Sequence, residues 1–264
     1  MPPVELTTFP NNIELITRFD YLPGNEDLYS RRSKLWIAQD TDSDKKYIIK
    51  RVIGRQYCEN EWKMPSRIDD PSIIKFTHIV HDAEYHYLIS EYDGLKDLFS
   101  LFAEESGDLE EKTLSLVLEK MAKCIKLCHD KDVLHLDIKM ENFLVAKEDP
   151  LEIVLIDFGF ARDASDTKMK DPNGTDLYVA PEVIDHKICS KMSDIYSLGM
   201  VMVHLTTTTD RVSSRQRVRD IKRSKKLSEK YKKVIQDMIK EVPEERITID
   251  QVLETLGQPS LKAE

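Results

Sequence analysis

The sequence has few cysteines, no long apolar run and no low-complexity segment, and each absence argues against a class of protein. Four cysteines among 264 residues are too few for a disulfide scaffold, so we expect a reduced protein of the cytoplasm or the nucleus. No apolar run approaches the roughly 20 residues of a membrane span. The N-terminal MPPVELTTFPNN has no basic segment followed by an apolar one, so we expect no secretory signal.

Acidic residues outnumber basic ones overall, but one segment reverses the balance. The net charge is −9, whereas the segment from Arg211 to Lys226 holds eight Lys or Arg and one acid, Asp220, and therefore carries +7 against −16 for the remainder. The overall acidity argues against general nucleic-acid binding and favours a basic protein substrate through long-range steering. The basic segment fits an acidic partner or a nuclear address, and it fits a solvated helix or loop equally well.

The first third of the chain has the pattern of β-strands. Apolar residues alternate or are β-branched in five runs, at residues 12–19, 34–39, 46–52, 76–81 and 86–91. The turn-forming sequence DTDSDKK lies between the second and third runs, and it predicts a hairpin.

Beyond residue 93 the pattern becomes helical. Residues 110–130 place apolar side chains on one stripe, and further helices are predicted at residues 193–206, 229–239 and 248–256. Strands followed by helices predict an α+β chain with a small β-rich lobe at about 12–91, a hinge at about 91–94 and a larger helical lobe at about 95–257. We expect residues 1–264 to form a single domain.

Two short segments carry polar residues that suggest chemistry. HLDIKMEN occupies residues 135–142, and IDFG occupies residues 156–159; each follows an apolar strand. Phosphoryl transfer needs a carboxylate that orients the nucleophilic hydroxyl, oxygen ligands for magnesium and a cation near the moving phosphate. Asp137, Lys139, Asn142 and Asp157 offer groups of these kinds. Either segment alone could arise by chance, so only the two together indicate phosphoryl-transfer chemistry.

Together these segments resemble the catalytic and metal-binding loops of eukaryotic-type protein kinases. The resemblance extends over nearly the whole chain, through YIIK at 47–50, DPSII at 70–74, GTDLYVAPE at 174–182, SDIYSLG at 193–199 and PEERIT at 243–248. It implies a bilobal protein-kinase-like fold. It also implies transfer of the γ-phosphoryl group of ATP to Ser or Thr of a protein, with Mg²⁺ as cofactor.

The resemblance implies a role for each residue of the catalytic loops. Asp137 would orient the substrate hydroxyl, Lys139 would lie beside the γ-phosphate, and Thr175 would hydrogen-bond near both. Asn142 and Asp157 would bind magnesium. A lysine at position 139 resembles Ser/Thr kinases rather than tyrosine kinases.

The same resemblance implies how the nucleotide and the activation loop are held. Lys50 would hold the α- and β-phosphates, with Glu61 as its partner and Glu59 as the alternative. Glu182 and Arg246 would form a buried ion pair that ties the activation loop to the large lobe.

The remaining nucleotide contacts are implied near the hinge. The adenine would meet the backbone at Glu91 and Asp93, and Asp97 would contact the ribose. Ser90 occupies the gatekeeper position beside the back of the ATP pocket.

Two departures from the family concern the phosphates. The three positions of the glycine-rich loop fall on Leu28, Ser30 and Ser33, whereas glycine lets a backbone close over phosphates. Leu136 replaces the arginine that grips an activation-loop phosphate in many relatives. We therefore expect no strict need for activation-loop phosphorylation.

A third departure concerns the small-lobe helix. Pro65 follows Glu61 by four residues, and proline ends or kinks a helix. We expect a short helix and an activating partner that holds Glu61 in place.

Several alternatives remain open from the sequence. The chain could be a catalytically weak, kinase-like scaffold or binding protein; a small-molecule kinase is disfavoured by the segment at 174–182. Cys124 and Cys128 have a spacing that suits either a metal site or core packing, and packing is favoured. His135 is expected to pack beside Phe158. The segments at 141–144 and 156–159 resemble casein-kinase-one-like enzymes, whereas Ser33 and the short interval between Lys50 and Glu61 resemble the kinase that fires replication origins.

Overall fold

The computed structural model divides the chain into two compact units, Met1–Leu95 and Lys96–Glu264. It describes residues 7–8, 19–21, 33–40, 45–53, 55–81, 85–91, 96–102, 109–169, 177–207 and 214–257. The first unit is rich in strands and the second in helices. The predicted fold class, a bilobal α+β chain with a small β-rich lobe and a larger helical lobe, is therefore confirmed.

The first unit is built on a six-stranded sheet with the order β1-β5-β6-β4-β3-β2. Among the described strands of this sheet, only β1 and β5 pair in parallel. The strands and the helix of this unit are β1 (Thr7–Thr8), β2 (Phe19–Tyr21), β3 (Ser33–Asp40), β4 (Lys46–Ile53), α1 (Arg55–Ser66), β5 (His78–His81) and β6 (Tyr85–Glu91). Residues 12–18 of the first predicted strand lie outside the described residues.

The predicted hairpin is confirmed by the pairing of β3 with β4. The two strands are antiparallel, with a register that runs from Ser33 opposite Val52 to Gln39 opposite Lys46. One face of the sheet packs Val52, Ile79 and Leu88 together, and Trp62 of α1 lies against them. The helix is therefore fixed to the sheet by burial of apolar surface.

Helix α1 is longer than the sequence predicts. It spans 12 residues, with Pro65 inside its last turn, and is therefore of average length for a globular protein. The expectation of a short helix is wrong. Proline so near the end removes one intrahelical hydrogen bond but leaves the preceding turns intact.

The second unit consists mainly of helices, with two small two-stranded sheets. Its helices are α2 (Leu98–Phe102), α3 (Glu111–Asp130), α4 (Pro181–His186), α5 (Lys191–Leu205), α6 (Ser214–Arg223), α7 (Glu229–Met238) and α8 (Ile249–Gly257). Strands β7 (Val133–Leu134) and β10 (Arg162–Asp163) pair with each other, as do β8 (Phe143–Lys147) and β9 (Glu152–Leu155). Of the described helices, none has the length and apolar character needed to cross a membrane.

Helices α3 and α5 form the core of the second unit. The predicted stripe of α3 is buried, including Leu114, Val117 and Ile125. Helix α5 is buried on nearly every side, and it begins at a capping box in which Ser190 and Ser193 bond each other's backbone amides. Gly199 lies where α5 passes closest to the end of α7, so the two helices can approach only because this position lacks a Cβ.

The predicted ion pair between Glu182 and Arg246 is present and buried. The two guanidinium nitrogens donate to the two carboxylate oxygens at 2.8 and 2.7 Å. Arg246 also donates to the backbone carbonyl of Met192, and Ser193 Oγ donates to Glu182. Burial would raise the pKa of Glu182, but the hydrogen bonds from Arg246 and Ser193 hold that pKa below its ordinary value. The pair thus ties α4 to the start of α5 and to the turn before α8.

Replacement of Gly199 by Ala should destabilise the second unit. The added Cβ would lie 2.6 Å from Ile239 Cγ2 and 2.9 Å from Met238 Cβ. We expect the free energy of unfolding in urea to fall by about 1–3 kcal/mol, the usual cost of an overpacked core. Gly257→Ala is the control, because a Cβ there meets no described atom within 4 Å. Equal losses in the two variants would contradict the close approach of α5 and α7.

Arg246→Leu should lower the free energy of unfolding by about 3–5 kcal/mol at pH 7, because it leaves the buried Glu182 carboxylate without its cation. In the variant, burial raises the pKa of Glu182, so the variant regains stability as the pH falls from 7 towards 5. In the wild type the lowered pKa keeps Glu182 ionised over that range. The ionised carboxylate stops stabilising the wild type only at lower pH. The loss begins below about 4.3, the pKa of Glu in the unfolded chain, and is complete once the pH has fallen through the lower pKa of Glu182 in the folded protein.

Urea unfolding of both proteins at pH 7 and pH 5 measures this difference, which should be smaller at pH 5. Lys233→Gln is the control, because it breaks an exposed pair with Asp237 that is worth less than about 1 kcal/mol. A deficit for Arg246→Leu that stays constant with pH would contradict the assignment to Glu182.

Candidate active site

The loop between β7 and β8 is held by a buried carboxylate of helix α5. Asp194 Oδ2 accepts from the backbone N–H of His135 at 3.0 Å, and Asp194 Oδ1 accepts from that of Leu136 at 2.8 Å. Leu136 has a φ of 64°, a left-handed conformation that costs a residue with a side chain about 1–2 kcal/mol. The two hydrogen bonds hold the backbone in this conformation directly before Asp137.

Asp194 is a functional residue that sequence reasoning missed. It is completely buried, and His129 Nε2 donates to its Oδ2 at 3.0 Å. Burial would raise the pKa of Asp194, but its hydrogen bonds with His129 and the loop backbone lower it. The signal was an acid within a predominantly apolar helix, because a buried charge requires partners that satisfy it.

His135 links the same loop to the strand that precedes Asp157. Its ring lies edge-on to Phe158 at a centroid distance of 4.8 Å, so the predicted packing is confirmed. Nε2 lies 3.1 Å from the carbonyl oxygen of Ile156, and Nδ1 lies 3.3 Å from the backbone nitrogen of Asp137. A carbonyl only accepts and an amide only donates, so both bonds require a neutral ring with its proton on Nε2.

Asp137, Lys139 and Asn142 are brought together by this loop. Lys139 Nζ donates to Asp137 Oδ2 at 2.8 Å. Asn142 Nδ2 donates to the same oxygen at 3.0 Å and to the carbonyl oxygen of Asp137 at 2.7 Å. Asp137 itself is only 6% exposed. Its carboxylate is therefore held on one oxygen by a cation and an amide, and no donor among the described residues binds Oδ1.

Asn142 and Asp157 lie at the same end of the β8–β9 hairpin. The antiparallel register places Phe143 opposite Leu155, and the backbone N–H of Ile156 donates to the carbonyl of Asn142 at 2.9 Å. Asp157 is the next residue, with a φ of 61°. Its side chain accepts from the backbone N–H of Gly159. The hairpin thus places the residues that carry an amide oxygen, Asn142, and a carboxylate, Asp157, at the same end of the paired strands.

The side chains of Asn142 and Asp157 offer oxygen atoms, which are suitable ligands for a magnesium ion. Mg²⁺ prefers oxygen ligands and is commonly held by one or two carboxylates together with substrate phosphates. Both hydrogen bonds of the Asn142 amide use its nitrogen, so the oxygen can face a cation. Within the described ranges no group of three or more His, Cys, Asp or Glu could hold a metal ion by itself.

Lys50 and Glu61 are in contact within the first unit. Lys50 Nζ donates to Glu61 Oε1, and the Glu61 side chain is 3% exposed. Lys50 lies on β4 and Glu61 on α1, so the pair bridges the sheet and the helix. The alternative partner, Glu59, instead pairs with Lys63. The preferred pairing is therefore the one that forms.

The other residues predicted to contact the nucleotide lie in different environments. Ser90 is buried in β6, and Glu91, the last residue of that strand, forms an exposed ion pair with Lys45. The Asp97 carboxylate accepts from the backbone N–H and the hydroxyl of Ser100, so it caps α2. Asp93 and the predicted catalytic Thr175 lie outside the described residues.

The positions that correspond to the glycine-rich loop are only partly described. Ser33 is the first residue of β3. Leu28 and Ser30 lie outside the described residues.

The side chain of Leu136 packs against the segment that follows Asp157. It belongs to a buried cluster with Met169 and Cys189, against which Ala164 also packs. Cys189 donates its backbone N–H to Thr167 O at 2.9 Å. Apolar packing and backbone hydrogen bonds thus hold this part of the chain.

Cys124 and Cys128 lie in the core, in agreement with the favoured interpretation. Both are buried on α3. Burial raises the pKa of the Cys128 thiol well above its ordinary value, whereas a metal ligand must be a thiolate. The neighbouring His129 is engaged with Asp194.

Comparisons with known proteins agree with this geometry. The family model described as the protein kinase domain matches residues 33–256. Similar curated proteins include serine/threonine-protein kinase ULK3 of Xenopus laevis, 30% identical over 60% of this chain and 34% of its own length. Calcium/calmodulin-dependent protein kinase type 1 of Macrobrachium nipponense is 32% identical over 68% of this chain and 56% of its own length. The Aurora kinase of Encephalitozoon cuniculi is 29% identical over 58% and 56%, respectively.

The chain thus spans from about a third to somewhat over half of the length of these relatives. The family match, in contrast, includes most of the described strands, the described helices apart from the final residue of α8, and the loops that carry Asp137, Asn142 and Asp157. On this basis the chain belongs to the eukaryotic-type protein kinase family.

Proposed function

We propose that this protein is a serine/threonine kinase that transfers the γ-phosphoryl group of ATP to a protein hydroxyl. The observation that carries the proposal is the Asp137 carboxylate, whose Oδ2 is held by Lys139 and Asn142. A buried carboxylate with one oxygen held by donors and the other available is suited to receive a hydroxyl proton.

In this mechanism Asp137 Oδ1 accepts a hydrogen bond from the substrate hydroxyl and orients its oxygen towards the γ-phosphorus. The bond to the β,γ-bridging oxygen breaks as the new bond forms, and the hydroxyl proton passes to the carboxylate. Lys139 balances negative charge beside the transferred group. Positioning and charge stabilisation supply most of the rate in such a reaction. His135 and Asp194 contribute by fixing the backbone of the loop.

Asn142 and Asp157 would hold Mg²⁺ through the amide oxygen and the carboxylate. Bound magnesium neutralises charge on the phosphate oxygens. The common end of the β8–β9 hairpin supports this assignment, because it fixes the spacing of the two side chains without the metal.

Lys50 would hold the α- and β-phosphates, and Glu61 orients its ammonium group. We further propose that the adenine meets the backbone at Glu91 and Asp93. Ser90 would lie beside the adenine as gatekeeper. Asp97 already accepts two hydrogen bonds, but a carboxylate has acceptor sites for more, so a ribose hydroxyl remains compatible with its role as a helix cap.

The proposal also includes the role of Thr175, the type of substrate, the cellular compartment and an activating partner. Thr175 would hydrogen-bond near Asp137, and the small and large lobes would act as one kinase domain. An acidic chain favours a basic protein substrate, and the low cysteine content favours the cytoplasm or the nucleus. Since Lys50 and Glu61 are in contact in the chain by itself, an activating partner at α1 would stabilise this pair rather than create it.

Asp137→Asn should strongly reduce the rate of phosphoryl transfer while leaving ATP binding intact. Loss of the carboxylate removes the proton acceptor, and we expect kcat to fall by about 10²–10⁴-fold. Transfer of phosphate to a general protein substrate measures kcat, and thermal shift with ATP and magnesium measures binding. Asp130→Asn is the control, because Asp130 is exposed at the end of α3 and pairs only with Lys126 among the described residues.

Asp157→Ala separates the two candidate functions. If the protein is a kinase, this variant loses the magnesium dependence of the thermal shift as well as transfer. A wild-type protein that binds ATP but transfers no phosphate to any substrate would instead support the alternative, a catalytically weak kinase-like binding protein.

Activity should not depend on phosphorylation of the segment after Asp157. The buried apolar cluster that contains Leu136, Met169 and Cys189 holds this segment without a phosphate, and Ser165 and Thr167 are exposed. We expect Ser165→Ala/Thr167→Ala, treated with phosphatase, to keep kcat/KM within about twofold of the wild type. Met169→Ala, which opens a gap in the apolar cluster, should lower kcat/KM in the same assay. Loss of activity on phosphatase treatment alone would show that a phosphate is required.

A further inference from the structure

Helix α6 presents a row of basic side chains on its outer face. Ile221 is 2% exposed and turns towards the core, where α6 contacts α5 and α7. Arg219, Lys222 and Arg223 are exposed, and their i, i+3, i+4 spacing places them on one side of the helix. Lys225 is exposed just beyond the helix end. We call these four residues the basic face.

Elsewhere on the described surface, lysines are commonly matched by acids of the same helix. Lys63 pairs with Glu59, Lys123 with Glu119, and Lys233 with Asp237 within α7. These pairs neutralise cations within the chain. Exposed lysines without such a partner also occur, but Lys112 and Lys131, for example, lie at opposite ends of α3 rather than side by side.

The basic face is different, because its four cations are clustered on and just beyond one helix, and within the described part of the chain no salt bridge or side-chain hydrogen bond involves any of them. Asp220 is the only acid between residues 211 and 226, and its position places it on the flank of the helix rather than between the cations. Like charges at i, i+4 repel each other. An anion from outside the chain would relieve this repulsion.

We propose that the basic face binds an acidic segment of a partner protein. Helix α6 has 10 residues and is therefore about 15 Å long. That length matches about five residues of an extended chain. Aspartate or glutamate side chains of such a segment could meet the four cations in turn, with charge complementarity that fixes the register and raises the rate of association.

A short protein segment fits better than a longer polyanion. The chain outside residues 211–226 carries −16, so a nucleic acid that extended beyond α6 would meet repulsion from the remaining surface. An anionic membrane would bring the same acidic surface close to its own negative charge. A segment no longer than the helix avoids both costs. The proposal concerns binding alone and does not depend on phosphoryl transfer.

The test measures binding of a fluorescein-labelled oligoglutamate peptide of about five residues to the full chain by anisotropy, without ATP. The variant Arg219→Gln/Lys222→Gln/Arg223→Gln removes three charges from the basic face. We expect its affinity to fall about tenfold, because each exposed ion pair contributes a factor of about two. The wild-type affinity should fall as salt is raised.

The matched control is Lys112→Gln/Lys123→Gln/Lys131→Gln, which removes three exposed lysines from α3 and its C-terminal end. It changes the net charge equally and should leave the affinity unchanged. Urea unfolding of both variants establishes that they are folded, and an oligoglutamine peptide should not bind.

Three outcomes would overturn the proposal. Equal losses in the two variants would show that only net charge matters. An unchanged affinity in the α6 variant would place any peptide binding elsewhere. Stronger and α6-dependent binding of single-stranded DNA or of phosphatidylserine vesicles would identify a nucleic acid or a membrane as the partner.

Discussion

The arrangement of the catalytic loop depends on one buried carboxylate. Asp194 lies in an apolar helix where an unsatisfied charge would be strongly destabilising, and it is satisfied by His129 and by the backbone of the loop that precedes Asp137. The dependence is mutual. The hydrogen bonds from both amides to Asp194 stabilise the left-handed turn at Leu136, and the same amides, together with His129, satisfy the buried carboxylate. Core and site are thus stabilised by the same hydrogen bonds.

A second set of contacts connects this loop to the β8–β9 hairpin. His135 bonds the carbonyl of Ile156. Asn142 bonds Asp137 through its side chain and accepts from the backbone N–H of Ile156. Side chains proposed for proton acceptance and for metal binding are therefore joined through backbone and side-chain bonds of regular elements. Sites supported in this way hold their geometry more closely than sites on unsupported loops. Such support suits a reaction in which positioning supplies much of the rate.

The features that sequence reasoning predicted are those with a local or a family signature. The β3–β4 hairpin followed from alternation and turn residues, the buried face of α3 from helical spacing, and the pair of Glu182 and Arg246 from resemblance to the family. The role of Asp194 was not predicted, because its bonds reach residues 58 and 59 positions away and arise only when the helix packs. The length of α1 was also mispredicted. A proline in the last turn has little effect on the turns before it, and the sheet holds the helix through Trp62.

The hairpin of β8 and β9 has a consequence for how this chain tolerates change. Asn142 and Asp157 lie beside its open end, whereas the turn that joins the strands holds the exposed residues Glu148 and Asp149. Exposed turns of this kind accept inserted residues with little effect on the elements that they connect. A peptide tag or a fluorescent label introduced between these two residues would sit at the far end of both strands. The paired backbone would still fix the spacing of the two side chains proposed to bind metal, so this turn is a suitable attachment point for a probe.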